Sequence, residues 1–175
     1  DSVKKSLKSD FLTQGPSIQK FENSLKQYFK SRYACAVSSG TAALHLVGLA
    51  KKWKKEDIII TTPISFLATA NCIEYSGART EFVDIDYKYG NIDPNILEEK
   101  VKKLNRYKKK VKAVIAVDYA GHPCDWESLN YISNKYSLTL INDNCHAMGA
   151  SYRGLKSYAM KYADIVTQSY HPVKN

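Results

Sequence analysis

The sequence predicts an α/β protein of three layers, in which a mostly parallel sheet lies between two layers of helices. Short apolar runs alternate with longer amphipathic segments along the chain, and the runs at residues 57–62 and 112–117 contain unbroken apolar stretches. Unbroken apolar strands are typical of parallel sheets that are covered on both faces. Strand–helix alternation is typical of the same architecture. No repeat or linker interrupts the 175 residues, which are enough for one domain with a sizeable core.

Composition places the chain among globular proteins, with 44% hydrophobic and 25% charged residues. No apolar run approaches the length of a membrane helix and no signal peptide opens the sequence, so we expect a cytoplasmic protein without a membrane partner. The cysteines are dispersed, and the first three lie in or beside predicted buried elements: Cys35, Cys72, Cys124 and Cys145. Reduced thiols are expected rather than disulfides.

The net charge of +9 comes largely from lysine runs at residues 51–55 and 102–110. Such runs indicate either a nucleic-acid surface or solvated helix ends. No nucleic-acid recognition motif accompanies them, which favours solvated helix ends and no nucleic-acid partner.

The first third of the chain predicts a helix end at residues 2–12, a Gly-Pro turn at 13–16 and a helix from Ser17 to Phe29. A short strand is predicted at 33–37, followed by a turn of small residues at 38–42 and an apolar helix. A helix that starts in such a turn exposes free backbone N–H groups, which can bind a phosphate. The same Ser-Gly-Thr sequence also makes an ordinary N-cap, and both interpretations remain open.

The middle third predicts a strand at 57–62, a helix from about residue 66, and a strand at 80–85. Phe66, in the first turn of that helix, can stack on a flat ring or pack in the core. Asp84 and Asp86 are interpreted as solvated loop carboxylates. A third helix follows Asp93, whose side chain caps a proline-initiated first turn.

The last third predicts strands at 112–117, 138–142 and 164–168, with a helix capped by Asp125 after the first of them. Polar side chains follow the last two strands. In parallel sheets, functional groups gather beyond the carboxyl ends of the strands. One crevice is therefore expected to contain the following side chains: Asp143, His146, Ser169, His171 and Lys174.

A zinc site is an alternative, because His146 follows Cys145 and His122 lies two residues before Cys124. The spacing matches no zinc module, so no metal is expected. Lys174 is either a surface lysine or a functional amine. A lysine at the end of a buried segment is unusual, because burying an unpaired ammonium is costly.

The motifs DxxH at 143–146 and SxHxxK at 169–174 resemble the DegT/DnrJ/EryC1/StrS family of sugar-nucleotide aminotransferases, with the pattern extending over residues 11–174. Within the family, the branch that aminates the 4-keto UDP-sugar precursor of pseudaminic acid is the most similar. The resemblance implies a large domain of the pyridoxal 5′-phosphate (PLP)-dependent transferase fold type I, like that of aspartate aminotransferase. It also implies a homodimer. The implied reaction moves an amino group from glutamate to a UDP-linked, N-acetylated 4-keto-6-deoxy hexose for surface polysaccharide synthesis.

The resemblance also implies residue roles. Lys174 would hold the cofactor covalently, Asp143 would face its ring nitrogen and His146 would lie against its ring. Further cofactor contacts are implied for Gly40, Thr41, Ala42, Phe66 and Ser169. Substrate contacts are implied for Thr13, Gln14 and His171.

Family members are longer, so residues 1–175 are expected to be part of the cofactor-binding large domain, incomplete at both ends and without the small C-terminal domain. Two alternatives stand beside this interpretation. One is an inactive fragment of such an enzyme, and the other is a basic nucleic-acid-binding α/β protein.

Overall fold

A parallel sheet organises most of the chain in the computed structural model, which describes residues 1–174. Five strands are present in these residues: β1 Asp57–Thr61, β2 Arg79–Phe82, β3 Lys110–Val117, β4 Thr139–Asp143 and β5 Ile165–Thr167. Their order across the sheet is β2-β1-β3-β4-β5, and every neighbouring pair is parallel.

The helices divide between two compact units, residues 1–36 and residues 37–175. The first unit contains α1 Ser2–Leu7 and α2 Pro16–Phe29. The second contains the sheet with α3 Gly40–Ala50, α4 Leu67–Tyr75, α5 Pro94–Arg106, α6 Trp126–Tyr136 and α7 Tyr158–Tyr162. A single 3₁₀ turn, Tyr119–Gly121, follows β3.

The helices of the second unit cover both faces of the sheet, as the sequence predicts. Helix α4 carries the chain from β1 to β2, whereas α5, α6 and α7 carry it across the sheet in the opposite direction. Because parallel crossovers are right-handed, α4 lies on one face and the other three lie on the opposite face. Helix α3 packs on α4. The fold is therefore the predicted three-layer α/β/α arrangement.

The core on the α3–α4 face explains why these segments are so apolar. Ile59, Ile115 and Ile141 come from three neighbouring strands and are at most 1% exposed. Leu44 of α3 and Ile73 of α4 pack into the same cluster. Burying an aliphatic side chain of this kind contributes about 1.5–3 kcal/mol to folding, so this layer fixes the strands firmly.

The strands end in register at one edge of the sheet. Asp143, the last residue of β4, pairs with Thr167, the last residue of β5. The Thr61 hydroxyl at the end of β1 donates to the Ile115 carbonyl of β3 at 2.9 Å. The loops at 62–66, 144–146 and 168–174 therefore leave from the same edge.

Several sequence predictions differ from the structure. The first helix ends at Leu7, not at Leu12. Residues 33–37 form no strand, because within residues 1–174 no neighbouring strand completes a ladder with them. Helix α2 begins at Pro16, so Gly15 is the N-cap in place of Ser17. Cys35 is exposed, whereas Cys72 and Cys124 are buried, and all the cysteines are free thiols.

Part of each lysine run lies at the opposite, amino-terminal edge of the sheet. A cavity of about 410 Å³ lies there, lined in part by Lys51, Lys52, Lys54, Lys110 and Lys112. None of the helices in residues 1–174 is both long enough and apolar enough to cross a bilayer.

Candidate active site

Asp143 occupies a buried position at the carboxyl end of β4. It is 4% exposed, and the Thr69 hydroxyl of α4 donates to its Oδ2 at 2.7 Å. The backbone N–H of Cys145 donates to its Oδ1 at 3.3 Å. A carboxylate can accept about four hydrogen bonds, so this one keeps room for a further donor.

Lys174 and His146 are in direct side-chain contact within the site. The Lys174 Nζ lies 3.0 Å from the His146 Nε2. Burial lowers the pKa of His146, the charge of Lys174 lowers it further, and the charge of Asp143 opposes both. The imidazole is therefore neutral at neutral pH and accepts a hydrogen bond from the ammonium group. The Lys174 N–H donates to the His171 carbonyl at 2.9 Å, which closes the turn that returns the lysine to the site.

Phe66 lies directly before α4 and contacts the same amine. The Lys174 Nζ is 4.6 Å from the centroid of its ring, a distance at which a cation is attracted to an aromatic face. The ring is 59% exposed, so it is not a core side chain. Phe66, His146 and Lys174 thus converge at the edge where Asp143 is buried.

The start of α3 confirms the N-cap interpretation, and phosphate binding there stays a prediction. Ser39 is the N-cap, and its hydroxyl accepts from the Ala42 N–H at 3.1 Å. Within residues 1–174, the N–H groups of Gly40 and Thr41 donate to no protein acceptor. One expected phosphate donor, the Ala42 amide, is therefore used by the cap, and two remain available.

Gly40 is the point at which α3 meets the loops after β4 and β5. A Cβ atom at this glycine would lie 3.1 Å from the Cys145 Sγ and 3.2 Å from the Ser169 Cβ. Only a residue without a side chain fits here without displacing its neighbours. The free amides of α3 are consequently held next to Ser169.

The residues expected to contact substrate belong to both units of the chain. His171 is exposed and contributes its backbone carbonyl to the turn that ends at Lys174. Thr13 and Gln14 are exposed residues of the first unit, and Gln14 has a positive φ of 53°. Their roles in substrate binding stay predictions.

The sequence analysis missed a buried carboxylate, Asp118, which follows β3 and is 0% exposed. Its Oδ1 accepts from the Cys124 N–H at 2.8 Å and the Trp126 Nε1 at 3.0 Å. Its Oδ2 accepts from Asn142 at 3.1 Å, Asn144 at 2.7 Å and the Tyr158 hydroxyl at 2.7 Å. Burial raises the pKa of Asp118, and these hydrogen bonds oppose that change.

The Asp118 network continues to the strand that precedes Lys174. The Gln168 side-chain amide donates to the Asn144 Oδ1, and the Asn144 N–H donates to the Thr167 carbonyl at 3.0 Å. Asn144 therefore joins the ends of β3, β4 and β5 next to Asp143.

Two features of the sequence signal what was missed. Asn142 and Asn144 flank Asp143 at the end of an apolar strand, where amide side chains need buried partners. Thr69 places a hydroxyl in the first turn of an apolar helix that follows Phe66. Among residues 1–174, no group of three or more His, Cys, Asp or Glu side chains is arranged to hold a metal ion.

Comparison with known proteins shows what this site belongs to. The model of the DegT/DnrJ/EryC1/StrS aminotransferase family matches residues 1–175. The chain belongs to this family. A family member from Campylobacter jejuni, UDP-4-amino-4,6-dideoxy-N-acetyl-beta-L-altrosamine transaminase, is 38% identical over 174 residues, which cover 99% of this chain and 44% of that relative.

Solved structures of family members have the same fold. PseC from Helicobacter pylori, an aminotransferase of pseudaminic acid biosynthesis, is 33% identical with a TM-score of 0.83, covering 97% of this chain and 44% of that one. NtdA from Bacillus subtilis, solved with bound cofactor PMP, is 34% identical with a TM-score of 0.81, covering 93% of this chain and 34% of that one. The chain thus spans less than half the length of these relatives.

Proposed function

We propose that this chain is the cofactor-binding part of a PLP-dependent sugar aminotransferase. The observation that carries the proposal is the position of the Lys174 amine. It lies 3.0 Å from the His146 ring nitrogen and 4.6 Å from the Phe66 ring centroid, at the edge where Asp143 is buried. An amine, two rings and a buried carboxylate at one strand edge are the groups that a pyridoxal site requires.

The donors and acceptors of the site fit the cofactor. Asp143 has acceptor capacity for the protonated ring nitrogen, which a carboxylate stabilises. The amides of Gly40 and Thr41, at the positive end of the α3 dipole, suit the phosphate group, and Ser169 lies beside them. Bound in this way, the cofactor supplies an aldehyde for covalent attachment and a ring that withdraws electrons from the substrate carbon.

The protein groups then have distinct tasks. Lys174, when it is not covalently engaged, is the base that takes the proton from the substrate carbon and returns it. Neutral His146 accepts a hydrogen bond from the lysine and holds the amine in place. The Asp143 carboxylate would stabilise positive charge at the ring nitrogen, and Thr69 orients that carboxylate.

The substrates are part of the same proposal. Glutamate is proposed as the amino donor, and a UDP-linked 4-keto-6-deoxy N-acetylated sugar is proposed as the acceptor, because the Campylobacter jejuni relative is named for a UDP-bound amino sugar of that type. A cytoplasmic homodimer and a role for residues 1–175 as part of the large domain belong to the same proposal, as do substrate contacts by Thr13, Gln14 and His171.

The test is covalent labelling of the lysine. The chain is incubated with pyridoxal phosphate, reduced with borohydride, digested and mapped by mass spectrometry. We expect a phosphopyridoxyl group on Lys174. A Lys174→Arg variant should lose the label. Lys161→Arg is the matched control, because the Lys161 Nζ also lies over an aromatic ring, 5.0 Å from the Tyr162 centroid, and this variant should keep the label on Lys174. A label spread over surface lysines would contradict the proposal.

A further inference from the structure

An aromatic and basic stack lies beside the candidate active site, on loops that the proposed reaction does not use. The rings of Tyr89 and His122 are stacked, with centroids 5.3 Å apart and planes within 5° of parallel. The Lys88 Nζ lies 4.8 Å from the Tyr89 centroid. Tyr89 is still 50% exposed and His122 is also exposed. We name Lys88, Tyr89 and His122 the Tyr89 platform.

The turn that carries Lys88 and Tyr89 is held rigidly. The Asp86 Oδ1 accepts from the Lys88 N–H at 2.8 Å and from the Tyr89 N–H at 3.2 Å. The Gly90 N–H donates to the Asp86 carbonyl at 2.8 Å, and Gly90 takes a positive φ of 72° that suits glycine. The Asp86 carboxylate thus holds the backbone of the turn that presents Lys88 and Tyr89.

Asn91 locks this turn onto the loop that carries His122. Its side chain is buried at 4% exposure, its Nδ2 donates to the His122 carbonyl at 2.9 Å, and its Oδ1 accepts from the Tyr119 N–H at 3.2 Å. Two loops that leave different strands are therefore fixed in one arrangement. A rigid pair of exposed rings is a surface prepared for a flat ligand, since little conformational entropy is lost when the ligand binds.

Tyr119 connects the platform to the candidate active site. Its ring centroid is 6.3 Å from that of His146, and a Cβ built on Gly90 would lie 3.7 Å from its Cδ1. The order of contacts outward from the reacting amine is thus Lys174, His146, Tyr119 and then the turn of Tyr89. The platform lies one aromatic side chain away from the pair that contains Lys174.

We propose that the Tyr89 platform binds the nucleoside diphosphate arm of the substrate. This inference rests on the proposed function, because it requires the sugar end to lie at Lys174. The nucleobase stacks on Tyr89, and the Lys88 ammonium, on its flexible stem, moves from the ring face to the diphosphate. Stacking on an aromatic side chain is worth about 1–3 kcal/mol per base and tolerates different bases.

The test uses UDP, GDP and inorganic pyrophosphate as probes, with affinities measured by calorimetry on the full chain. We expect UDP and GDP to bind with Kd values within about threefold of each other, and pyrophosphate more weakly, because it cannot stack. Tyr89→Ala should raise the Kd for UDP by about 5- to 150-fold, and Tyr89→Phe should leave it nearly unchanged. Lys88→Met should weaken both UDP and pyrophosphate and reduce the dependence on salt.

Tyr87 provides a matched control, since it lies on the same turn, is fully exposed and is not in the stack. Tyr87→Ala should bind UDP as the parent does. Equal UDP affinity in the parent and Tyr89→Ala, or an equal loss in Tyr87→Ala and Tyr89→Ala, would overturn the proposal. Labelling of Lys174 by pyridoxal phosphate is measured on the same variants. If Lys174 of the parent is not labelled, the proposed function is refuted. The effect of Tyr89→Ala on the Kd for UDP tests the platform alone.

Discussion

Lys174 and His146 lie 3.0 Å apart through Nζ and Nε2, so two groups that can both carry positive charge share one hydrogen bond. Only one of them can be protonated without strong repulsion, and the pKa of His146 is lowered accordingly by burial and by the charge of Lys174. The neutral imidazole thereby becomes an acceptor that points the amine at the space above Phe66.

The titration of His146 tests this relationship. Removing the ammonium with Lys174→Met should raise the pKa of His146 toward its ordinary value near 6.5, because one of the two causes that lower it disappears. Removing the carboxylate with Asp143→Asn should lower it further, because Asp143 opposes the other two effects. Imidazole NMR across the neutral pH range, on protein free of cofactor, measures both changes.

The stability of the fold should depend on the same group. The folded-state pKa of His146 lies below its unfolded value, so its contribution to stability is present above the unfolded pKa and is lost as the pH falls through the folded pKa.

Lys161→Met is the control for the titration experiment and should leave the pKa of His146 unchanged. A His146 titration that responds to neither Lys174→Met nor Asp143→Asn would show that the three groups are not coupled.

Thr69 supplies a second prediction through its 2.7 Å hydrogen bond to Asp143. Thr69→Val keeps the shape of the side chain but leaves a buried carboxylate oxygen without its donor, which costs about 1–3 kcal/mol. We expect lower stability in urea and a higher Kd for pyridoxal phosphate. Thr69→Ser retains the hydroxyl and should behave like the parent on both measurements, so equal losses in the serine and valine variants would contradict an orienting role.

The sequence predicted the architecture because the strands of a covered parallel sheet are apolar runs that can be recognised in short stretches of sequence. Ile59 and Ile115 lie in unbroken apolar runs, which are typical of parallel strands buried on both faces. The prediction of a strand at residues 33–37 was wrong for a different reason. A strand is defined by its neighbour, and no pattern within those residues reports whether a neighbour exists.

The candidate site was predictable only in part. Asp143 and Lys174 were found because each follows a strand and belongs to a motif. Asp118 was not found, although it accepts hydrogen bonds from five groups, three on α6, β4 and α7 and two on loops. Its partners are separated from it by between 6 and 40 positions in the chain, and no spacing rule joins residues at such separations.

Gly40 leads to a third prediction, because a Cβ here would press on the Cys145 Sγ at 3.1 Å and the Ser169 Cβ at 3.2 Å. Gly40→Ala should push α3 away from the loops after β4 and β5, at a cost of about 1–3 kcal/mol. Pyridoxal phosphate and inorganic phosphate should both bind more weakly. Adding Cys145→Ala removes one of the two contacts and should restore part of the affinity. If the double variant folds normally and its affinity for pyridoxal phosphate does not recover, contact with Cys145 is not the cause of the weaker binding in Gly40→Ala.

Asp118 gives the last prediction, which concerns the stability difference between the parent and each of two variants. This difference should narrow with rising pH for one variant and widen for the other. The folded-state pKa of Asp118 is raised by burial, so its contribution to stability is greatest below its unfolded pKa and is lost as the pH rises through the folded value. Asp118→Asn leaves buried donors without an acceptor and should cost about 2–4 kcal/mol. The stability gap between the parent and this variant should narrow as the pH rises, because only the parent ionises.

Tyr158→Phe removes one donor that stabilises the ionised carboxylate, and should cost about 1 kcal/mol at low pH. Its gap from the parent should widen as the pH rises, since the pKa of Asp118 is then raised further. Urea unfolding, followed by the fluorescence of the buried Trp126, measures both gaps over the acid to neutral range. A Tyr158→Phe gap that stays constant while the Asp118→Asn gap narrows would show that Asp118 does not ionise within the network. The ends of β3, β4 and β5 would then be joined without a buried charge.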